Sequence, residues 1–343
     1  MTARYATSDE SKKWNDIIIA NPDGGNVFAS VEFAKQKEMG GYKHFFVMVD
    51  SLAVTVLEKR TLLGKLWYLP KGPGATSVKD VLRALKAIKP LAMKRGVFAI
   101  RIESELKQEY GKDFEEAGLA KARHVIPNPS TILLDLHPKL GDILAQLPQK
   151  GRHAIRRAER DGVTIKQVPA TDENVRIMHT LLSETAKGQF GLRSPAYYKT
   201  FWQRFEKSGY GQLFFAYVGG EVVAGAYAMV FGKKSTYKDG ASIRERTVYG
   251  ASHLLQWEVI KWAKKRGAVI HDFCGSPPSS EIHNTNHPHY GVGRFKLSFN
   301  KTVTDYIGCY DYILKPSRHK LWRSFVESLT MRLYYYRKRE TYY

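Results

Sequence analysis

The sequence predicts an α/β protein of the α+β type, two tandem domains each carrying a mixed β-sheet, and three observations support this. The first is a repeated hairpin. Phe45–Val49 and Leu52–Glu58 read as paired strands, and Phe214–Val218 with Glu221–Val230 repeats the pair around Gly219-Gly220, a dipeptide suited to tight hairpin turns. The second is a repeated helix–strand step. Val81–Lys94 has a helical pattern ending Lys94-Arg95-Gly96 before the apolar strand Val97–Ile102, and Leu254–Lys265 ends Lys265-Arg266-Gly267 before Ala268–Phe273. Basic residues in a last turn followed by glycine mark a helix C-terminus. The third is the spacing: both pairs are offset by about 170 residues, which signals duplicated domains rather than a solenoid.

Composition agrees. A length of 343 residues suits two domains, and 43% hydrophobic residues supply real cores and exclude global disorder. The expected boundaries are 1–145 and 146–310, followed by a basic amphipathic helix over 311–343. Residues 170–210 contain no long charged heptad pattern, so no coiled-coil arm is expected. Net charge is +21 with a pI near 9.7, which calls for a polyanionic partner: nucleic acid, a nucleotide-linked substrate or an anionic membrane.

Only Cys274 and Cys309 occur, which argues against a disulfide framework or a structural zinc cluster. Met1–Asn15 is polar and lacks the apolar core of a signal peptide. No apolar run approaches the roughly 20 residues that span a bilayer. The expectation is an intracellular, cytoplasmic, monomeric protein able to make peripheral contact with the inner face of a membrane.

Taken in chain order, the elements after the first repeat begin with a basic helix over 150–160. Arg152, Arg156 and Arg160 fall at i, i+4 and i+8 on one face, while Ile155 and Ala158 point elsewhere. Three stacked arginines favour a counter-anion, and the helix reads as a nucleic-acid contact. Gly162 stops the helix, and Val163–Val168 opens a strand. Ser252 reads as the N-cap of the helix before Ala268–Phe273.

The segment His283-Asn-Thr-Asn-His287-Pro-His289-Tyr-Gly-Val-Gly293-Arg294-Phe295-Lys296-Leu-Ser-Phe299 follows that strand. A lysine set between phenylalanines costs stability unless its charge meets something anionic. Its histidines, near Asp272 and Cys274, suggest zinc, but they lie in a Pro/Asn loop without a Cys-x₂-Cys partner, so no metal is expected. No phosphate-cradling glycine motif and no local nucleophilic triad appears. No cofactor is expected, and positive charge with shape remains the catalytic means. The segment 315–343 carries Leu321, Trp322, Phe325, Leu329 and Leu333 at helical spacing among basic residues, the composition of an interfacial membrane contact.

Duplicated hairpin–helix–strand units resemble the acetyltransferase (GNAT) fold, giving two tandem GNAT-like domains. Such enzymes hold pyrophosphate with [Arg/Gln]-x-x-Gly-x-[Gly/Ala] at a helix start. Here Thr247 occupies the Arg/Gln position before Gly250, which disfavours coenzyme A. Five further blocks are informative: Phe28-Ala-Ser-Val-Glu-Phe33-Ala-Lys35; Tyr68-Leu-Pro-Lys71-Gly72-Pro73 with Ile100-Arg101-Ile102-Glu103; Thr131–Leu136 with Leu147–Gly162; Gly240-Ala-Ser with Leu254–Ala263; and Gly293-Arg-Phe-Lys296-x-x-Phe299. In this order they resemble the FemXAB family of peptidoglycan interpeptide-bridge aminoacyltransferases, which includes FemX-type ligases and lipid II glycyltransferases. Phe33 replaces the family's usual tryptophan.

The resemblance implies transfer of an amino acid of the Gly, Ala or Ser type. It would pass from aminoacyl-tRNA to the stem-peptide amine of a peptidoglycan precursor, either lipid II or UDP-MurNAc-pentapeptide. It implies that Lys35 and Arg193 meet precursor phosphates, that Tyr197 and Tyr237 line that site, and that Glu103 aligns with an acidic family residue. Lys296 and Phe295 would meet the aminoacyl end, with Arg152, Arg156 and Arg160 on the tRNA and no role for DNA. Two alternatives stay open: an N-acyltransferase using acyl-coenzyme A, and a non-catalytic RNA- or membrane-binding protein on a transferase fold.

Overall fold

The computed structural model describes residues 1–126, 129–186, 191–243 and 249–343; Thr247 lies outside the described residues. The chain forms two compact units, Met1–Pro129 with Asp305–Tyr343, and Ser130–Thr304. In chain order the strands are β1 (Ala3–Tyr5), β2 (Tyr42–Val49), β3 (Leu52–Thr61), β4 (Gly64–Leu69), β5 (Val97–Ile102), β6 (Ala120–Lys121) and β7 (Ser130–Asp135). They continue with β8 (Thr164–Val168), β9 (Gly211–Val218), β10 (Glu221–Phe231), β11 (Lys234–Ser242), β12 (Ile270–Asp272), β13 (Val303–Asp305) and β14 (Tyr310–Ile313).

They make two seven-stranded mixed sheets, ordered β1-β2-β3-β4-β5-β14-β6 and β13-β7-β12-β11-β10-β9-β8. Read from opposite ends, the two correspond strand for strand. β2, β3 and β4 form an antiparallel meander joined in parallel to β5, and β9, β10 and β11 do the same with β12. The sequence repeat is thus a structural repeat.

The sixth strand of each sheet is exchanged. β7, which follows the first repeat, pairs antiparallel with β12, whereas β14, which follows the second, pairs antiparallel with β5. The units therefore divide at 129/130 and 304/305, not at the 145/146 and 310/311 expected from composition. Backbone pairing decides where a strand belongs, and composition does not report it.

Local chemistry explains each repeat. The helix Val78–Lys94 starts at Ser77, whose side chain accepts from the Asp80 amide, and it buries Val81, Ala84, Leu85, Ile88 and Ala92 along one stripe. Strand β5, VFAIRI, is buried at every residue, as a central strand covered on both faces should be. In the second unit the helix Ala251–Lys265 begins at Gly250, not at Ser252 as expected. Gly250 has φ +87°, and a Cβ there would sit 2.2 Å from the Ala154 carbonyl oxygen. The helix start is pressed onto the basic helix Gln149–Arg160, so the cap must be glycine. Gly250→Ala should lower stability by about 2–3 kcal/mol in urea unfolding, from backbone strain and the clash together.

The segment after β14 docks on the first unit rather than standing apart as its own element. Helix Pro316–Leu321 runs through a π-turn, Trp322–Val326, into helix Glu327–Lys338. Trp322 is fully buried, and Glu327 meets the fully buried Arg101 of β5 at 2.8 Å. Arg101 also makes a bidentate pair with Asp311 of β14 at 2.8 and 3.0 Å, and His319 Nε2 lies 3.1 Å from the same carboxylate.

Candidate active site

In the second unit, the strand β12 ends at Asp272, a buried carboxylate that organises the following turn. Its Oδ1 accepts from Thr131 Oγ1 at 2.5 Å and from the Cys274 amide at 2.7 Å. Cys274 has φ +57°, a conformation uncommon for a side chain with Cβ and concentrated at functional turns. The turn aims two successive carbonyls inward. Lys296, last residue of the short helix Tyr290–Lys296, donates to the Cys274 oxygen at 3.0 Å and the Gly275 oxygen at 2.6 Å.

Lys296 is only 6% exposed. Burial pushes its ammonium down to about 8, partly opposed by Cys274 and Asp272. An ammonium has three donors, and two are fixed by the carbonyls. The third has no protein partner among the described residues. The site thus holds a clamped cation that retains one N–H without a protein acceptor among the described residues.

The walls are aromatic. Phe295 packs against Phe299 at 5.4 Å and His253 at 5.0 Å, and Phe299 meets Phe273 at 5.0 Å. Phe295 therefore shapes and dries the site and offers no polar group to a reaction. Behind it His271, fully buried, lies 2.9 Å from Ser235 Oγ and 2.7 Å from Gln256 Nε2. Burial and then the Lys296 charge push this imidazole down to about 3, so it is neutral. A single positive charge is kept at Lys296.

Tyr237 borders the same region. Its ring packs on Phe273 at 6.5 Å, and its hydroxyl lies over Gly240, where a Cβ would fall 1.6 Å from it. Burial, Asp239 and Cys274 all push this phenol above its ordinary value. The strand carries a bulge here, because Tyr227 pairs with Asp239 but Ala228 with Tyr237. The extra residue is Lys238, and bulges commonly re-aim a side chain beside a site.

Lys238 pairs with Asp239 at 3.0 Å, and Asp239 also accepts from Trp202 Nε1 at 2.9 Å. Burial alone would lower Lys238; Asp239, Tyr198 and Tyr197 overcome it and hold it charged. Arg193 sits 4.9 Å over the Tyr197 ring, which stacks on Phe201 at 6.2 Å, near Lys238. The second unit thus brings Tyr237, Phe295 and Lys296 together, and groups Arg193 with Tyr197 around the Lys238–Asp239 pair.

Lys35 and Glu103 belong to the first unit. Lys35 is exposed on the helix Val31–Glu38, while its neighbour Lys37 is buried against the Phe33 and Tyr42 rings at 5.3 and 5.7 Å. Glu103 is buried and accepts from the Tyr68 hydroxyl at 2.5 Å and the Ile126 amide at 3.3 Å. Its carboxylate, His124 and Cys309 place potential ligand atoms within 4.8 Å of one another. Burial and then the Glu103 charge push the Cys309 thiol up, and the Glu103 oxygens already accept hydrogen bonds. The trio fits a satisfied hydrogen-bonded cluster.

The basic helix Gln149–Arg160 lines a groove of about 610 Å³ with Gln149, Arg152, His153, Arg156, Glu159 and Arg160. Arg156 and Arg160 are exposed. Arg152 is partly committed, because it donates to the Ala145 carbonyl at 2.9 Å and to that of Leu147, tying down the end of the preceding helix. From the sequence, Lys296 stands out, Asp272 and Cys274 figure only as neighbours of the histidines, and neither the Thr131–Asp272 contact nor the Lys238–Asp239 pair is visible. The signal for the carbonyl clamp is Cys274-Gly-Ser-Pro-Pro, a turn directly after an apolar strand.

Comparison with known proteins follows this geometry. Residues 149–281 match the family of the acetyltransferase (GNAT) domain. The lipid II:glycine glycyltransferase of Staphylococcus saprophyticus is 30% identical over 111 residues, 32% of this chain and 26% of the relative. That of Staphylococcus aureus is 32% identical over 102 residues, 30% of this chain and 24% of the relative. The chain thus spans about a quarter of the length of these relatives. The crystal structure of FemX superposes with a TM-score of 0.80 at 19% identity, covering 94% of this chain and 99% of that one.

Fold and site together define a tandem GNAT-fold protein. Within that class, residues 149–281 carry the acetyltransferase-domain match, and the fold as a whole is similar to that of FemX.

Proposed function

We propose that this protein transfers an aminoacyl group from aminoacyl-tRNA to the stem-peptide amine of a peptidoglycan precursor, lipid II or UDP-MurNAc-pentapeptide. The observation that carries the reading is Lys296, a buried ammonium with two donors clamped by carbonyls and a third without a protein acceptor among the described residues. The names of the glycyltransferase relatives supply the substrate class.

The donor ester is already activated. The neutral acceptor amine attacks its carbonyl carbon, a C–N bond forms, and the carbonyl oxygen becomes an oxyanion. Collapse breaks the C–O bond to the terminal ribose, and the amine proton leaves to that oxygen or to solvent. Lys296 donates its third N–H to the oxyanion, where one aimed donor is worth roughly 3–4 kcal/mol. Binding both substrates in register supplies further acceleration. We assign Arg193, with Tyr197 and Tyr237, to the precursor, Lys35 to the same anionic class of group, and Arg156 and Arg160 to the tRNA backbone. Glu103 is assigned to support of the first unit's buried cluster.

The direct test is transfer of radiolabelled amino acid from a panel of charged tRNAs to lipid II and to UDP-MurNAc-pentapeptide. Labelled precursor is the expected result, and no transfer with any tRNA would overturn the reading. The GNAT match over 149–281 keeps one competitor, an acyl-coenzyme A transferase. It predicts thermal stabilisation by acyl-coenzyme A and none by aminoacyl-tRNA.

The pH profile follows from Lys296. The acceptor amine becomes neutral as pH rises, while Lys296, held at about 8, loses its charge above that pH. Turnover should therefore rise and then fall, with the alkaline limb near pH 8. Lys296→Arg, charged throughout this range, should shift that limb upward in whatever activity it retains. A rate that climbs steadily through pH 9 in the unaltered protein would show that the cation is not required.

A further inference from the structure

The helix Glu327–Lys338 is inverted with respect to an ordinary surface helix. Toward its own unit it turns Glu327, hydrogen-bonded by Arg101 and by the Tyr343 hydroxyl, and Tyr334, packed on Tyr342. Toward solvent the helix and the π-turn before it present apolar side chains. Phe325 is 56% exposed, Leu329 46%, Leu333 51% and Tyr336 70%. Leu321 extends the row one turn earlier.

A four-residue spacing normally drifts around an α-helix. The π-turn at Trp322–Val326 inserts an extra residue into one turn, which pulls Leu321 and Phe325 back into line with Leu329 and Leu333. It also lets Trp322 and Val326 remain buried beneath the row. At the foot of the stripe, Leu62, 76% exposed on the β3–β4 turn, is brought close by Arg318, which donates to the Leu63 carbonyl.

Charge frames the stripe with one sign. Arg318, Lys320, Arg323, Arg332, Arg337 and Lys338 are exposed, and between 315 and 339 the one acidic residue is the inward-facing Glu327. Beside the stripe lies a groove of about 450 Å³ whose lining includes Arg123, Arg332, Tyr335 and Tyr336, a cation-and-phenol setting suited to a phosphate. No helix among the described residues is long and apolar enough to cross a membrane.

From this juxtaposition we propose that the face made by Leu321, Phe325, Leu329, Leu333 and Tyr336, with its basic border, docks the protein on the surface of an anionic lipid bilayer. The apolar row enters the headgroup–acyl boundary, and the arginines and lysines meet lipid phosphates. An RNA would use the basic border and stack on the tyrosines, but exposed leucines add nothing to backbone or stacking contacts. The row of leucines and phenylalanine favours lipid.

The test is co-sedimentation of the full chain with vesicles of phosphatidylglycerol and phosphatidylcholine, with pure phosphatidylcholine vesicles as the comparison. The vesicles hold neither aminoacyl donor nor precursor, so the result is independent of the transfer reaction. Binding should require the anionic lipid and weaken with salt. The triple variant Phe325→Ser, Leu329→Ser, Leu333→Ser changes only exposed positions. It should keep the thermal midpoint and lose roughly tenfold or more in partitioning. Arg332→Glu with Arg337→Glu should weaken binding to anionic vesicles alone. No binding to anionic vesicles, or binding that survives the triple variant, would overturn the proposal. So would a triple variant that loses tRNA affinity while keeping vesicle affinity.

Discussion

Lys296→Met should lower kcat by about 10²–10³, the usual loss when one oxyanion donor is removed, while tRNA binding weakens only in part. The measurement is single-turnover transfer with saturating charged tRNA, alongside a direct tRNA-binding isotherm. Stability should change little, because two effects oppose. The buried ammonium, displaced from 10.5 to about 8, carries a burial penalty of about 3 kcal/mol. Methionine removes that penalty but leaves the Cys274 and Gly275 carbonyls without their donor, costing about 1–3 kcal/mol each. The sign with pH is definite. Between about 8 and 10.5 the folded protein binds fewer protons at this position than the unfolded chain, so its stability rises across that window. The variant should lack that rise. Activity unchanged by the substitution would remove Lys296 from the chemistry.

Arg101→Met should be the most destabilising single change, at about 3–5 kcal/mol, because it strands two buried carboxylates. Burial by itself would raise Asp311; Arg101 and His319 overcome it and hold the carboxyl well below the ordinary range. In the unaltered protein that contribution is present above the ordinary carboxylate pKa and is lost as pH falls through the depressed one. Without Arg101 the balance reverses, and burial raises Asp311. The deficit should then be largest at neutral pH and shrink on acidification, when the stranded acid can take up a proton. Urea unfolding at pH 7 and pH 5 reads this directly. A deficit that is constant with pH would mean that lost packing, not charge, accounts for the damage.

Much of the fold was legible because it is written locally. The first hairpin of each unit follows from its apolar runs and, in the second unit, from the Gly219-Gly220 turn, and the two long helices end at their Lys/Arg-Gly signals, at Arg95-Gly96 and Arg266-Gly267. Non-local features were not legible. Nothing near Tyr310 says that β14 pairs with β5, or near Ser130 that β7 pairs with β12. Ser252 has the chemistry of a cap, yet Gly250 takes the position because the Ala154 carbonyl lies against it. That constraint exists only after packing.

The candidate site divides the same way. Lys296 announced itself as a charge among aromatics. Its clamp is made of backbone carbonyls, which every residue possesses, so no side-chain motif could reveal it. In the sequence Asp272 reads as a candidate metal ligand beside the histidines, whereas in the fold it braces the turn that presents those carbonyls. Arg152 had the right face but is half engaged with the preceding helix, a contact that depends on tertiary geometry.

The exchanged strands carry a consequence for biosynthesis. As the polypeptide leaves the ribosome, the amino-terminal sheet must wait, its edge at β5 open, until β14 has been made some two hundred residues later. An exposed strand edge is a template for wrong partners, so the nascent chain should need chaperone protection until synthesis is nearly finished. Production by co-expressing two halves cut between the repeats should give insoluble fragments, whereas the intact gene yields folded protein.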